Sequence, residues 1–179
     1  MSLCHLPFAL LLILAGCAQN AVQTCRTETA MPSTTPADRF LMHGNGTVTD
    51  TATGLMWAQC AEGLSGSACT VGMATTLTWE AALIRARDSG LAGYTDWRLP
   101  NIKELSSIVE ERCIAPAINL AVFPNTPASY FWSASPCAGS SGYPLYLLNR
   151  AWYVDFSDGD ANDLPRSLHF SVRLVRSGQ

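Results

Sequence analysis

The stretch "DWRLPNIKEL", Asp96 to Leu105, decides how the middle of this chain folds. Pro100 fixes its own φ and disfavours helix at Leu99. Asn101 is a strong N-cap residue, and Glu104 stands three positions on, the spacing of a capping box. The segment therefore predicts an extended piece that stops at Leu99-Pro100 and launches a helix. Trp97 and Leu99 share one side of the extended part and are expected in the core. Arg98 points the other way, towards backbone carbonyls or a carboxylate such as Asp96. The ten residues hold no His, Ser or Cys. The stretch reads as a corner of the fold rather than as assembled catalytic groups.

The flanking sequence extends this reading. After the corner, "NIKELSSIVEERC" predicts a helix to about Cys113, with Ile102, Leu105, Ile108 and Val109 as its buried stripe. Before it, "LTWEAALIRARDSG" places Trp79, Ala82, Leu83 and Ala86 at helical spacing. Thr78 can cap that helix and Gly90 end it. Upstream, Phe40–His43, Thr47–Asp50 and Leu55–Gln59 read as three short strands joined by Gly-rich turns. Downstream, "IAPAINLAVFPNTPAS" holds three prolines and is expected to be a long ordered loop. "YFWSAS" reads as a strand. "AWYVDF" alternates, with Trp152, Val154 and Phe156 on one side and Tyr153 and Asp155 on the other. "SLHFSVRLVR" alternates too, setting Leu168, Phe170, Val172 and Leu174 against Ser167, His169, Ser171 and Arg173. Strands, two helices, a loop and more strands define an α+β chain of antiparallel strands with two helices and a long loop region.

The chain has 179 residues, enough for one ordinary domain, and is 48% hydrophobic. Only 14% of residues are charged, against roughly 25% in average soluble domains. A net charge of −3 without a Lys/Arg run gives no footprint for nucleic acid. It also argues against sulfated polysaccharide as the main ligand. The opening "LPFALLLILAGC" is too short for a transmembrane helix. Small residues before a Cys match a bacterial lipobox, which makes residues 1–16 a lipoprotein signal peptide and Cys17 the lipidated residue. The n-region is weak, with His5 but no Lys or Arg in the first five residues. Residues 17–37 are rich in Thr, Pro and Ser and read as a tether, leaving 38–177 as the folded domain. A lipid-anchored protein of the outer membrane, facing the cell exterior, is expected.

Five further cysteines follow Cys17 in the exported chain. Cys60 and Cys69 bracket a Gly/Ser-rich loop and are expected to form a disulfide. Cys113 is left to pair with Cys25 or Cys137. No C-x-x-C or H-x-x-x-H spacing for zinc occurs. Neither a metal nor any other cofactor is expected.

The motifs "NGTVTDTATGLMW", "TWEAA", "GYTDWRLPNIKEL", "VFPNTP", "FWSAS", "AWYVDFSDG" and "VRLVR" resemble the Lcl C-terminal domain family across about Phe40 to Arg176. The resemblance implies a C-type-lectin-like fold, related to that of formylglycine-generating enzymes. Such oxidases need a redox-active Cys pair late in the chain, and no Cys follows Cys137. His43 and His169 are the only histidines after the leader, and no Ser-His-Asp set is evident, so an enzyme is not expected. Folds of this kind present ligands from loops and late strands. The candidate face is Tyr153, Asp155, Ser157, Asp158, Asp160, Asn162, Asp163, Leu164, Arg166, Ser167, His169 and Phe170. Tyr153 and Phe170 would give it rigid apolar area, and its aspartates an acidic character. The arrangement is similar to variable proteins diversified by retroelements. The expected partner is a protein or glycan on another cell or a phage, with a structural envelope or fibre-associated role as the alternative. "SDGDAND" lacks the spacing and bidentate Glu of an EF-hand.

Overall fold

A computed structural model describes residues 22–137 and 149–178. The expected signal peptide and Cys17 lie outside the described residues. In chain order the strands are β1 (Thr24–Cys25), β2 (Phe40–Met42), β3 (Thr47–Asp50), β4 (Leu55–Ala58), β5 (Leu64–Ser65), β6 (Val71–Gly72) and β7 (Thr76–Leu77). After helices α1 (Trp79–Arg87) and α2 (Ile102–Ser106) come β8 (Cys113–Ile114), β9 (Tyr130–Pro136), β10 (Arg150–Asp155), β11 (Ala161–Pro165), β12 (Phe170–Ser171) and β13 (Val175–Ser177). One sheet has the order β11-β10-β9-β12-β7 and a second the order β13-β4-β3-β2. Every pairing is antiparallel except β12 with β9. The architecture is α+β, mostly antiparallel with two helices, and consistent with a C-type-lectin-like fold.

Period-two alternation in β9 and β10 divides the core in two. Phe131, Val154 and Phe156 pack with Leu105, Ile108, Ile118, Val122 and Phe123. Trp132, Ala151 and Tyr153 pack on the other side with Ala82, Ala86, Trp97 and Leu99. The corner at Pro100 joins these layers. Trp97 and Leu99 are buried, and Arg98 exchanges two 2.9 Å backbone hydrogen bonds with Val175 of β13. The capping box is complete: the Glu104 N–H donates to Asn101 Oδ1 at 2.9 Å, and the Asn101 N–H to Glu104 Oε2 at 2.8 Å. The same Glu104 receives the Arg98 guanidinium through both oxygens, at 2.7 and 2.8 Å. Arg98 also donates to the Leu99 carbonyl, whereas Asp96 pairs with Arg176 at 2.7 Å.

Helix α2 stops at Ser106, not near Cys113. Ser107 Oγ donates to the Glu104 carbonyl at 2.7 Å, competing with helix continuation. Beyond it the chain turns, keeping Ile108 and Val109 in the core and carrying Glu110 inward. Glu110 is claimed by the segment that composition read as a tether. Its carboxylate accepts from Ser33 Oγ, from Thr35 Oγ1 at 2.8 Å, and from the N–H groups of Thr35 and Thr34 at 3.0 and 3.1 Å. β1 pairs with β8, and the Cys25–Cys113 disulfide closes the same junction. Residues 22–37 are therefore a strap docked on the domain, not a free linker. Ser33, Thr34 and Thr35 spend their hydroxyls on a buried carboxylate far away in sequence.

Burial opposes ionisation of Glu110, but the hydrogen bonds from Ser33, Thr35 and Thr34 outweigh it and hold its pKa at about 2. A carboxyl depressed on folding adds stability that is present above its unfolded value, near 4.5, and is lost as pH falls towards 2. Full loss is worth on the order of 3 kcal/mol. Urea denaturation of Glu110→Gln should show that deficit at pH 7, with the gap to the parent protein closing between about pH 5 and pH 2. A gap independent of pH would mean the strap does not depend on this charge.

The last segment departs most from its predicted alternation. From Phe170 to Arg176 every residue is buried, because β12 lies between β9 and β7 and the chain then crosses to the second sheet. Arg173, expected on the polar side, has no exposed surface. Its guanidinium donates to the carbonyls of Ala58 (2.9 Å) and Gln59 and to Thr126 Oγ1 (2.6 Å). It lies 4.7 Å from the Phe123 ring centroid. Burial lowers its pKa to about 9, which leaves it charged at neutral pH.

Candidate functional site

The C-terminal hairpin is built from β10, a tight tip and β11. Asp155 Oδ1 accepts from the Ser157 N–H at 2.8 Å, and Asp158 Oδ1 from the Asp160 N–H at 3.0 Å. Both aspartates thus brace the turn with their own side chains. Gly159 has φ +95°, and a Cβ there would stand 2.7 Å from Val109 Cγ1, so the tip is pressed against the core where only glycine fits.

Register then sorts the predicted residues. Asn162 lies opposite Tyr153, and Asp163 opposite Trp152. Adjacent strand residues face opposite ways, so Asp155, Asn162 and Leu164 fall on the Tyr153 side and Asp163 on the other. Asp163 is engaged by Arg150 through an ion pair and a second guanidinium bond to its carbonyl. Arg166 is also held, its guanidinium 4.2 Å from the Trp79 ring and its Nε donating to the Arg150 carbonyl at 3.1 Å. Asp158, Asp160, Asn162, Ser167 and His169 are exposed, whereas Asp155, Ser157, Asp163, Leu164 and Arg166 are partly covered.

Tyr153 and Phe170 do not lie free on this face. They are 8% and 7% exposed, respectively. Their rings are 5.2 Å apart, and Phe170 stacks on Trp132 at 4.2 Å. Burial pushes the Tyr153 phenol pKa upward, with Tyr130 and Asp155 adding to the effect. Edge-to-face packing of large rings outcompetes display of either one. Tyr130 takes the place the sequence reading gave to them. It is 39% exposed, touches Tyr153 at 4.8 Å and Phe170 at 5.0 Å, and lies opposite Asp155 in the β9–β10 register. Leu168, assigned to the buried side by alternation, is 40% exposed. The signal for Tyr130 was its place at the head of "YFWSAS", where a strand emerges from the core.

Tyr130, Tyr153 and Phe170 thus form one aromatic cluster, with Asp155, Asn162 and Leu164 on the Tyr153 face of the hairpin. Among the described residues, no three His, Cys, Asp or Glu side chains converge as a metal site. The predicted Cys60–Cys69 disulfide is formed. The open choice at Cys113 resolves to Cys25, with Cys137 a free thiol.

The architecture is a small α+β domain whose late β10–β11 hairpin has a braced tip. The family model of the Lcl C-terminal domain matches residues 46–176. The chain belongs to that family. No curated protein shows significant sequence similarity to it. No described helix is long and apolar enough to cross a membrane.

Proposed function

We propose that this protein is an exported, lipid-anchored binding module rather than an enzyme. It captures a protein or glycan of another cell or a phage through its C-terminal hairpin. The supporting observation is the make-up of that region: Asn162, Leu168 and His169 are exposed, Asn162 lies opposite Tyr153 in the register, and half-exposed Tyr130 packs on the buried rings of Tyr153 and Phe170. Short side chains beside a rigid aromatic cluster can be exchanged without disturbing the core, the property a variable display surface needs. The anchor is the acylated Cys17 of the lipobox, and the location the outer membrane facing outward. Diversification of the face by a retroelement extends the same reading. It requires a near-copy of the 3′ end of the coding sequence beside a reverse transcriptase.

The test uses the immobilised protein against a glycan array and a phage-displayed peptide library. Leu168→Ala with His169→Ala should abolish capture and leave the melting temperature unchanged. Tyr153→Ala should lower stability by about 3 kcal/mol, as loss of a buried ring does. Capture that survives the Leu168/His169 pair would rule the face out. Mass spectrometry of the envelope protein should find acyl chains on Cys17, and Cys17→Ser should release it from the membrane.

A further inference from the structure

Asn45 is the only asparagine in the chain that is followed by glycine. It is exposed, in the turn that joins β2 to β3. Its Oδ1 accepts twice from one residue, from Thr47 Oγ1 at 2.6 Å and from the Thr47 N–H at 3.2 Å. Thr47 is 1% exposed and fixed in β3 opposite Ala58, so both donors are delivered by the rigid part of the fold. Gly46 has φ +86° and no Cβ to shield its own nitrogen. The Gly46 N–H donates to no atom of the described residues. The turn thus places a main-chain nitrogen without an acceptor next to a carboxamide whose oxygen already carries two donors.

We propose that Asn45 is a self-modification site, converted to aspartate and isoaspartate by attack of the Gly46 main-chain nitrogen. That nitrogen gives its proton to solvent and bonds to Asn45 Cγ. Negative charge gathers on Oδ1, where the Thr47 hydroxyl and N–H stabilise it as donors of an oxyanion hole do. The Cγ–Nδ2 bond then breaks, and Nδ2 takes up a proton and leaves as ammonia. What remains is a five-membered succinimide. One water opens that ring, at Cγ to give aspartate or at the main-chain carbonyl to give isoaspartate. One water is consumed, one ammonia is released, and nothing is oxidised or reduced. Because the reacting groups are neighbours in the chain, no partner has to be brought in. The other described asparagines are followed by Ile102, Leu120, Thr126, Arg150 and Asp163, whose side chains shield the attacking nitrogen. In Asn119 and Asn125 the departing nitrogen is also held, by the carbonyls of Thr35 and Cys69 at 2.7 and 2.8 Å. Isoaspartate carries the main chain through the side-chain carbon and adds a methylene to the turn. Two bonds cross that turn, from the His43 N–H to the Thr47 carbonyl at 3.1 Å and from the Gln59 N–H to the Gly46 carbonyl at 2.9 Å.

The experiment follows the purified protein at 37 °C and pH 8, in native buffer and in parallel in concentrated urea. Peptide mapping by mass spectrometry, with electron-transfer fragmentation, separates asparagine, aspartate and isoaspartate at each site. Asn45 should convert in native buffer faster than in urea, while Asn101, Asn119, Asn125, Asn149 and Asn162 stay unchanged over the same interval. Thr47→Val keeps the shape and the N–H but removes the hydroxyl donor. It should slow the native reaction by about tenfold and leave the rate in urea as it was. In the product enriched in isoaspartate, the amide signals of His43, Thr47 and Gln59 should shift. A native rate no higher than the rate in urea would overturn the proposal, and that comparison needs no variant to fold. So would a folded Thr47→Val protein that converts as fast as the parent.

Discussion

Arg173→Ala is expected to cost on the order of 5 kcal/mol and to leave the chain largely unfolded at 37 °C. The substitution strands the Ala58 and Gln59 carbonyls, takes a donor from Thr126 Oγ1 (which still donates to the Phe123 carbonyl), and empties the space between Phe123 and Phe131. Each buried orphan costs about 1–3 kcal/mol, and the cavity adds to that. No carboxylate contributes to the Arg173 pKa; burial alone lowers it. The charge itself is therefore not a source of stability, and the donors are. Arg173→Met keeps most of the volume and removes the uncompensated charge, so its cost should be distinctly smaller. Urea midpoints of the two variants decide the matter. Equal losses would mean that the hydrogen bonds, which both variants lose, rather than the packed volume hold the two sheets together.

Removal of the Cys25–Cys113 disulfide is the second large effect. The bond spans 88 residues, and a loop of that length restricts the unfolded chain by about 4–5 kcal/mol. The Cys60–Cys69 bond spans only 9 residues, for about 2–3 kcal/mol. Guanidinium denaturation of Cys25→Ser/Cys113→Ser and of Cys60→Ser/Cys69→Ser should therefore rank the first pair as the greater loss. The reverse ranking would mean that the short loop is held in shape mainly by its own bond.

What the sequence revealed followed from locality. The corner at Pro100 was legible because the proline, the Asn cap and the Glu three residues on act within one turn, and the capping box, Trp97 and Leu99 all stand as expected. The Arg98 partner was not legible. Asp96 and Glu104 are both within reach in sequence, and only the path of the helix decides that Glu104 receives the fork while Arg176, from the far end of the chain, takes Asp96. The strap was misread for a related reason. Thr34 and Thr35 look like linker residues until Glu110 is brought beside them, and nothing within a short window announces that contact. Alternation failed from Phe170 onwards because a two-sided rule presumes one wet face, and this segment has none. In the candidate face the frame of Val154 and Phe156 was correct, but the choice between Tyr130, Tyr153 and Phe170 for the exposed ring depends on how three rings share one space.

The docked strap also bears on how far the domain can stand from a membrane. Gln23 already grips the carbonyls of Pro116 and Ile118, both at 2.7 Å. From Cys17 to Gln23 is a span of six residues, at most about 20 Å when fully stretched. On the proposed anchor this is a short leash. The pole of the molecule carrying Pro116 and Ile118 would ride close above the lipid headgroups, with little freedom to tumble. A partner would have to come down to the bilayer rather than be fished from a distance.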